Sequence, residues 1–153
     1  MSLVGRSAPA VNLWGPDRKQ LDLASLQGGK VVVAFFPGAF TGVCEKEMCA
    51  LRDAMTAYNE LNAKVIGVSV DGPFANSGFA AKVGLEFPLY SDWTRETTNA
   101  WGVAWPNFGG MPGYTAANRA VFILDAKGVV TWEWIAPNPG VEPDYAAIKA
   151  ALA

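Results

Sequence analysis

Thr41 and Cys44 stand three residues apart, just downstream of an apolar run at residues 31–36 that Pro37-Gly38 brings to an end. If a helix begins in this stretch, Thr41 is placed to cap it, its hydroxyl accepting the backbone N–H of Cys44. Cys44 then lies in the first helical turn, where unpaired N–H groups and the positive end of the helix dipole favour a thiolate. A thiolate is the nucleophilic form of cysteine. Each residue alone has a plainer reading: threonine as a cap, proline as a loop residue, cysteine as a small buried hydrophobe. Their combination directly after an apolar strand is what points to chemistry.

Cys49 is the only other thiol in the chain. On an intact helix, residues five apart have Cα atoms roughly 8.7 Å from each other, beyond the span of a disulfide. A bond between Cys44 and Cys49 therefore requires the first turns of the helix to unwind. Cys49 lies away from the Met48, Leu51 and Met55 stripe, on the side of Asp53, Thr56 and Glu60, which predicts a half-exposed thiol. The chain has no histidine, so the two cysteines cannot be completed into a Cys and His metal site.

The elements that must position these residues are legible from hydrophobic periodicity. Residues 31–36, 65–70, 120–124 and 129–135 read as strands, the first two near-continuously apolar, as strands buried on both faces are. Between the first two, Met48, Leu51, Met55, Tyr58 and Leu61 recur at steps of three and four and predict an amphipathic helix over 45–62. Strand, helix and strand make a βαβ unit. Further helices are predicted over 77–83 and 94–101, with a short edge strand at 87–90 between them. Asp125-Ala126-Lys127-Gly128 reads as a hairpin turn with Gly128 at positive φ, and Pro143 as the first turn of a helix running to Leu152. Residues 102–118 hold four glycines, two prolines and the aromatics Trp105, Phe108 and Tyr114 without periodicity, a pattern more often functional than accidental, with a solvated insertion nearly as common.

Composition bounds the rest. With 153 residues, 51% of them hydrophobic, the chain suits one domain spanning 1–153 with a real core. A net charge of −2 without runs of either sign offers no footprint for nucleic acid or an anionic membrane. No apolar stretch reaches the roughly 20 residues of a membrane span, and residues 1–6 lack the pattern of a signal peptide. The expectation is a cytoplasmic protein, where a cysteine pair is more often catalytic than structural.

The segment Phe35-Phe36-Pro37-Gly38-Ala39-Phe40-Thr41-Gly42-Val43-Cys44, with Glu47 and Leu51-Arg52-Asp53 after it, resembles the active-site segment of peroxiredoxins. Ala8-Pro9 and Leu13 resemble that family's N-terminal region. Asn118-Arg119-Ala120-Val121-Phe122-Ile123-Leu124-Asp125 resembles the strand that begins with its essential arginine. The resemblance implies a thioredoxin-like α/β fold, a central mixed sheet flanked by helices, and a thiol peroxidase acting on hydrogen peroxide and organic hydroperoxides. Metal, flavin and haem are not implied.

Carried onto this chain, the resemblance makes Cys44 the attacking thiol and Arg119 the group that binds the peroxide and the sulfur. Thr41 would hold a peroxide oxygen, Pro37 would shield the sulfur, and Glu47 would orient the arginine. The spacing of Cys44 and Cys49 resembles the bacterioferritin comigratory protein or Q-type subgroup, which implies that Cys49 resolves the oxidised Cys44 and that a thioredoxin-like dithiol restores both. Two alternatives stand beside this one: a one-cysteine enzyme with Cys49 a spectator, and a peroxide sensor or redox relay. The expected assembly is a monomer or homodimer.

Overall fold

Strand β1 (Lys30–Phe35) is the axis of the molecule in this computed structural model, which describes residues 2–153; Met1, where the expected domain of 1–153 begins, lies outside the described residues. Its side chains alternate between two cores, as the period of two along a strand demands. Val32 and Ala34, followed by Phe36, face one side, and Val31, Val33 and Phe35 the other, so both faces are buried and the run is apolar throughout.

The remaining elements follow in the order α1 (Gly42–Asp53), α2 (Met55–Glu60), β2 (Ala63–Ser69), α3 (Pro73–Val83), β3 (Leu89–Ser91) and α4 (Glu96–Ala100), then β4 (Ala104–Trp105), β5 (Ala116–Ala117), β6 (Ala120–Leu124), β7 (Val130–Ile135) and α5 (Tyr145–Leu152). The main sheet has the order β3-β2-β1-β6-β7. β1 pairs in parallel with β2, and β2 with β3, whereas β6 runs antiparallel to both β1 and β7. It is the mixed sheet expected, and β4 and β5 form a separate antiparallel pair.

Met48, Leu51, Tyr58, Phe79, Ile148 and Leu152 carry α1, α2, α3 and α5 onto one face of the sheet. Leu13, Trp101, Val103 and Ala117 cover the opposite face. Gly67 in β2 keeps the first face tight, since a Cβ there would run into the Leu89 side chain. Gly128 holds the β6–β7 turn at φ 82°, as expected. Among the described residues no helix is long and apolar enough to cross a membrane.

The differences from the sequence-based expectations have local causes. The helix expected over 45–62 starts three residues earlier and divides at Ala54, whose N–H is shared between the carbonyls of Ala50 and Leu51. α3 begins at Pro73, a proline already set for a first helical turn. α4 begins only at Glu96, because Arg95 adopts a left-handed conformation with φ 64°. Pro143 lies outside α5: the Asp144 carboxylate accepts from the N–H groups of Ala146 and Ala147 and sets the start at Tyr145.

Candidate active site

Cys44 occupies the first turn of α1 and is fully buried. The parallel pairing of β1 with β2 and the antiparallel pairing of β1 with β6 bring the start of β6 beside it, although 75 residues separate Cys44 from Arg119. Arg119 immediately precedes β6 and is anchored through its neighbour. Asn118 accepts the Arg119 N–H at 2.8 Å and donates its own amide to Ala136 O at 2.8 Å, while Ala136 N donates to Arg119 O.

The guanidinium fork is almost fully committed. Nη2 lies 3.3 Å from Cys44 Sγ, Nη1 donates to Glu47 Oε2 at 2.5 Å, and Nε and Nη2 donate to Pro139 O at 3.2 and 2.9 Å. A lysine has no second arm with which to meet these three partners at once. Glu47 stands one turn along α1 from Cys44, also fully buried. The cysteine, the glutamate and the arginine therefore form one cluster with a positive charge beside the sulfur.

Burial pushes the Glu47 carboxyl up to about 7 against the pull of Arg119, with the charge of Glu142 adding to the rise. Burial also works against the charge of Arg119, but Glu47 and Cys44 outweigh it and hold the guanidinium above its ordinary value. A carboxyl whose pKa rises on folding contributes stability that is complete below its unfolded value near 4.5 and is lost as pH rises through about 7. Glu47→Gln removes that titration while keeping an acceptor for Arg119. The melting temperature of the parent chain relative to this variant is therefore expected to fall between about pH 5 and 8. A difference that stays constant over that range would contradict the assignment.

A cavity of about 250 Å³ adjoins the cluster, lined by Pro37, Thr41, Gly42, Val43, Phe108, Arg119, Pro139 and Gly140. The first amides of an α-helix have no partner within the helix, and two of the residues that carry them here, Gly42 and Val43, line this space. Pro37, Thr41 and Arg119 are thus brought together at one cavity. Thr41 precedes the helix in the extended conformation of a capping residue (φ −91°, ψ 149°), but its hydroxyl does not cap Cys44 N. It donates instead to Gly38 O at 2.8 Å, because the loop folds back on itself at Phe40, whose φ is 64°.

Cys49 is not part of this cavity. It is partly buried at the margin of the core and lines a separate surface depression with Gly42, Glu45 and Lys46; both cysteines are free thiols. Phe108, which the sequence reading named within the irregular stretch without giving it a role, and Pro139, which it did not single out, also line the cavity. Phe108 reaches the cavity from the irregular stretch at 102–118, where its N–H bonds Tyr114 O at 2.9 Å and its ring packs on Tyr114. Pro139 contributes a backbone carbonyl, which has no side-chain signature; the only signal was the turn-forming composition of Pro137-Asn138-Pro139-Gly140.

Comparison with known proteins gives a consistent result. Residues 4–133 match the model of the AhpC/TSA family. Peroxiredoxin Q, chloroplastic, of Populus jackii is 38% identical over 126 residues, which cover 82% of this chain and 57% of that protein. The chain thus spans somewhat over half the length of the curated relatives it matches. Among solved structures, Peroxiredoxin Q of Xanthomonas campestris aligns with a TM-score of 0.81 at 27% identity, covering 99% of this chain and 97% of that one. The bacterioferritin comigratory protein of the same organism, described for its alkyl peroxide reduction activity, aligns at 0.78 and 26% identity, over 93% and 89% of the two chains.

Proposed function

We infer the function from the fact that this chain belongs to the AhpC/TSA family, the peroxiredoxins: it is a single-domain thiol peroxidase that reduces hydrogen peroxide and organic hydroperoxides through Cys44. The observation that carries this reading is the Arg119 guanidinium 3.3 Å from the Cys44 sulfur, at the wall of a cavity large enough for a hydroperoxide.

In the reaction the Cys44 thiolate attacks the terminal peroxide oxygen. An S–O bond forms, the O–O bond breaks, and the alkoxide or hydroxide leaves and takes a proton from solvent as alcohol or water. Arg119 holds the thiolate before attack and stabilises the charge developing on the leaving oxygen. Thr41 is exposed at the cavity, where its hydroxyl binds the peroxide, and buried Pro37 keeps water from the sulfur. The apolar lining from Val43, Phe108 and Pro139 suits the organic part of an alkyl hydroperoxide.

Cys44 is left as a sulfenic acid. Cys49 attacks that sulfur, an S–S bond forms and water leaves; a thioredoxin-like dithiol then reduces the disulfide by exchange. The cycle needs a reducing compartment. The cytoplasm supplies one, while the Populus jackii relative is named for the chloroplast.

The placement of Cys49 on a separate depression supports a second reading, in which an outside thiol reduces Cys44 directly and Cys49 is a spectator. Cys49→Ser separates the two. Under the resolving reading, turnover supported by thioredoxin falls to about a tenth or less while the first attack on peroxide keeps its rate. Undiminished turnover would establish the one-cysteine cycle instead.

A further inference from the structure

The loop that leads into α1 is held from outside by a carboxylate with no part in the chemistry described above. Asp71 follows β2, and its Oδ2 accepts the N–H of Ala39 at 2.8 Å. The same oxygen accepts from Ser69 Oγ, also at 2.8 Å. Ser69 is fully buried and within 2.9 Å of the equally buried Asn76 Oδ1, and Ser91 Oγ donates to the Asp71 carbonyl. Asp71 is thus fixed on its own side by a buried polar network, and it reaches across to a single backbone amide in the middle of the 37–41 loop.

That amide is next to the strained point of the loop. Phe40 has φ 64°, a conformation that costs a residue with a side chain and persists where its surroundings hold it. Phe40 is 53% exposed, and its ring packs edge-on against Phe79 of α3 at 5.3 Å, with Lys82 of α3 over its face at 5.6 Å. Lys82 also pairs with Glu45 in the first turn of α1 at 3.7 Å. The corner formed by β2 and α3 therefore grips the loop and the first turn of α1, and the Asp71 bond is its shortest polar link.

We propose that Asp71 is a positioning residue that latches the 37–41 loop and the first turn of α1, holding Cys44 ready for peroxide and delaying the unwinding that Cys49 needs to reach it. This rests on the reading of Cys44 as attacking thiol and Cys49 as resolving thiol. The latch affects the two steps in opposite directions, because attack requires the folded turn and disulfide formation requires its release. General loss of stability in the site does not have that signature.

The test is a rapid-quench mass measurement on Asp71→Ala and Asp71→Asn after one equivalent of hydrogen peroxide, following sulfenic acid and disulfide separately. Loss of one charge-assisted hydrogen bond is expected to slow sulfenic acid formation about tenfold and to speed its conversion to disulfide about tenfold in Asp71→Ala. Asp71→Asn keeps an acceptor for Ala39 N and stays closer to the parent chain in both steps. Two steps slowed together, or neither altered, would overturn the latch. If Asp71→Ala does not fold, amide exchange in the parent chain decides: the latch requires protection of Ala39 N–H, and free exchange refutes it. A parent chain that forms sulfenic acid but never disulfide would count against the resolving reading, and the latch is then judged on the attack rate and on Ala39 exchange.

Discussion

Peroxide consumption by Cys44→Ser is expected to fall by about three orders of magnitude or more, to the background set by free peroxide. Serine occupies nearly the same volume in the first turn of α1 and can still meet Arg119, so the fold should survive with little loss of stability. What disappears is the nucleophile. A serine hydroxyl stays protonated near neutral pH, and among the described residues no carboxylate other than Glu47, already paired with Arg119, is buried beside it. Consumption by a peroxide assay, with circular dichroism to verify folding, checks the expectation. Retention of a tenth of the activity would place the reactive sulfur elsewhere, and Cys49 is the only other candidate.

Arg119→Met is expected to damage both rate and stability, and for different reasons. The rate of peroxide attack should fall about 10²- to 10³-fold, because the cation proposed to hold the thiolate and the departing oxygen is gone. Stability should fall by about 3–5 kcal/mol, the cost of leaving one half of a buried ion pair without its partner. That loss is smaller at low pH, where Glu47, already pushed up to about 7, takes a proton. Adding Glu47→Gln to Arg119→Met should restore much of the stability and none of the rate, which separates the two roles. Chemical denaturation and single-turnover kinetics on the single and double variants supply the readout. An Arg119→Met chain that attacks peroxide at the parent rate would refute the assignment of the guanidinium to the reaction.

The core of this arrangement was legible in the residues themselves. The apolar run ending at Pro37-Gly38 and the three-and-four spacing of Met48, Leu51 and Met55 placed Cys44 in the first turn of a helix, and the structure has it there. Both patterns are local, and burial of β1 on two faces enforces them. Arg119 was different. Nothing between residues 44 and 119 announces that they meet, and only resemblance to a family motif paired them. Long-range pairing depends on sheet order, and the antiparallel register of β6 against β1 has no short-range signature.

Glu47 shows why composition underdetermines a site. An acid in a first turn is ordinary helix-dipole chemistry, yet this one is fully buried and bound to Arg119. Thr41 shows the converse: its capping position was correct, but the left-handed backbone at Phe40 gave its hydroxyl a closer acceptor in Gly38. Phe108 lies in a stretch without periodicity, so its place at the cavity wall depended on tertiary contacts alone.

Cys44 is proposed as the thiol that peroxide oxidises and Cys49 as the thiol that follows. The intact mass of the reduced chain after one equivalent of hydrogen peroxide, quenched in acid, tests both. Loss of two hydrogens in the parent chain is expected, with one oxygen added in Cys49→Ser and no change in Cys44→Ser. A parent chain that comes through unreacted would contradict the peroxidase reading and leave only the fold.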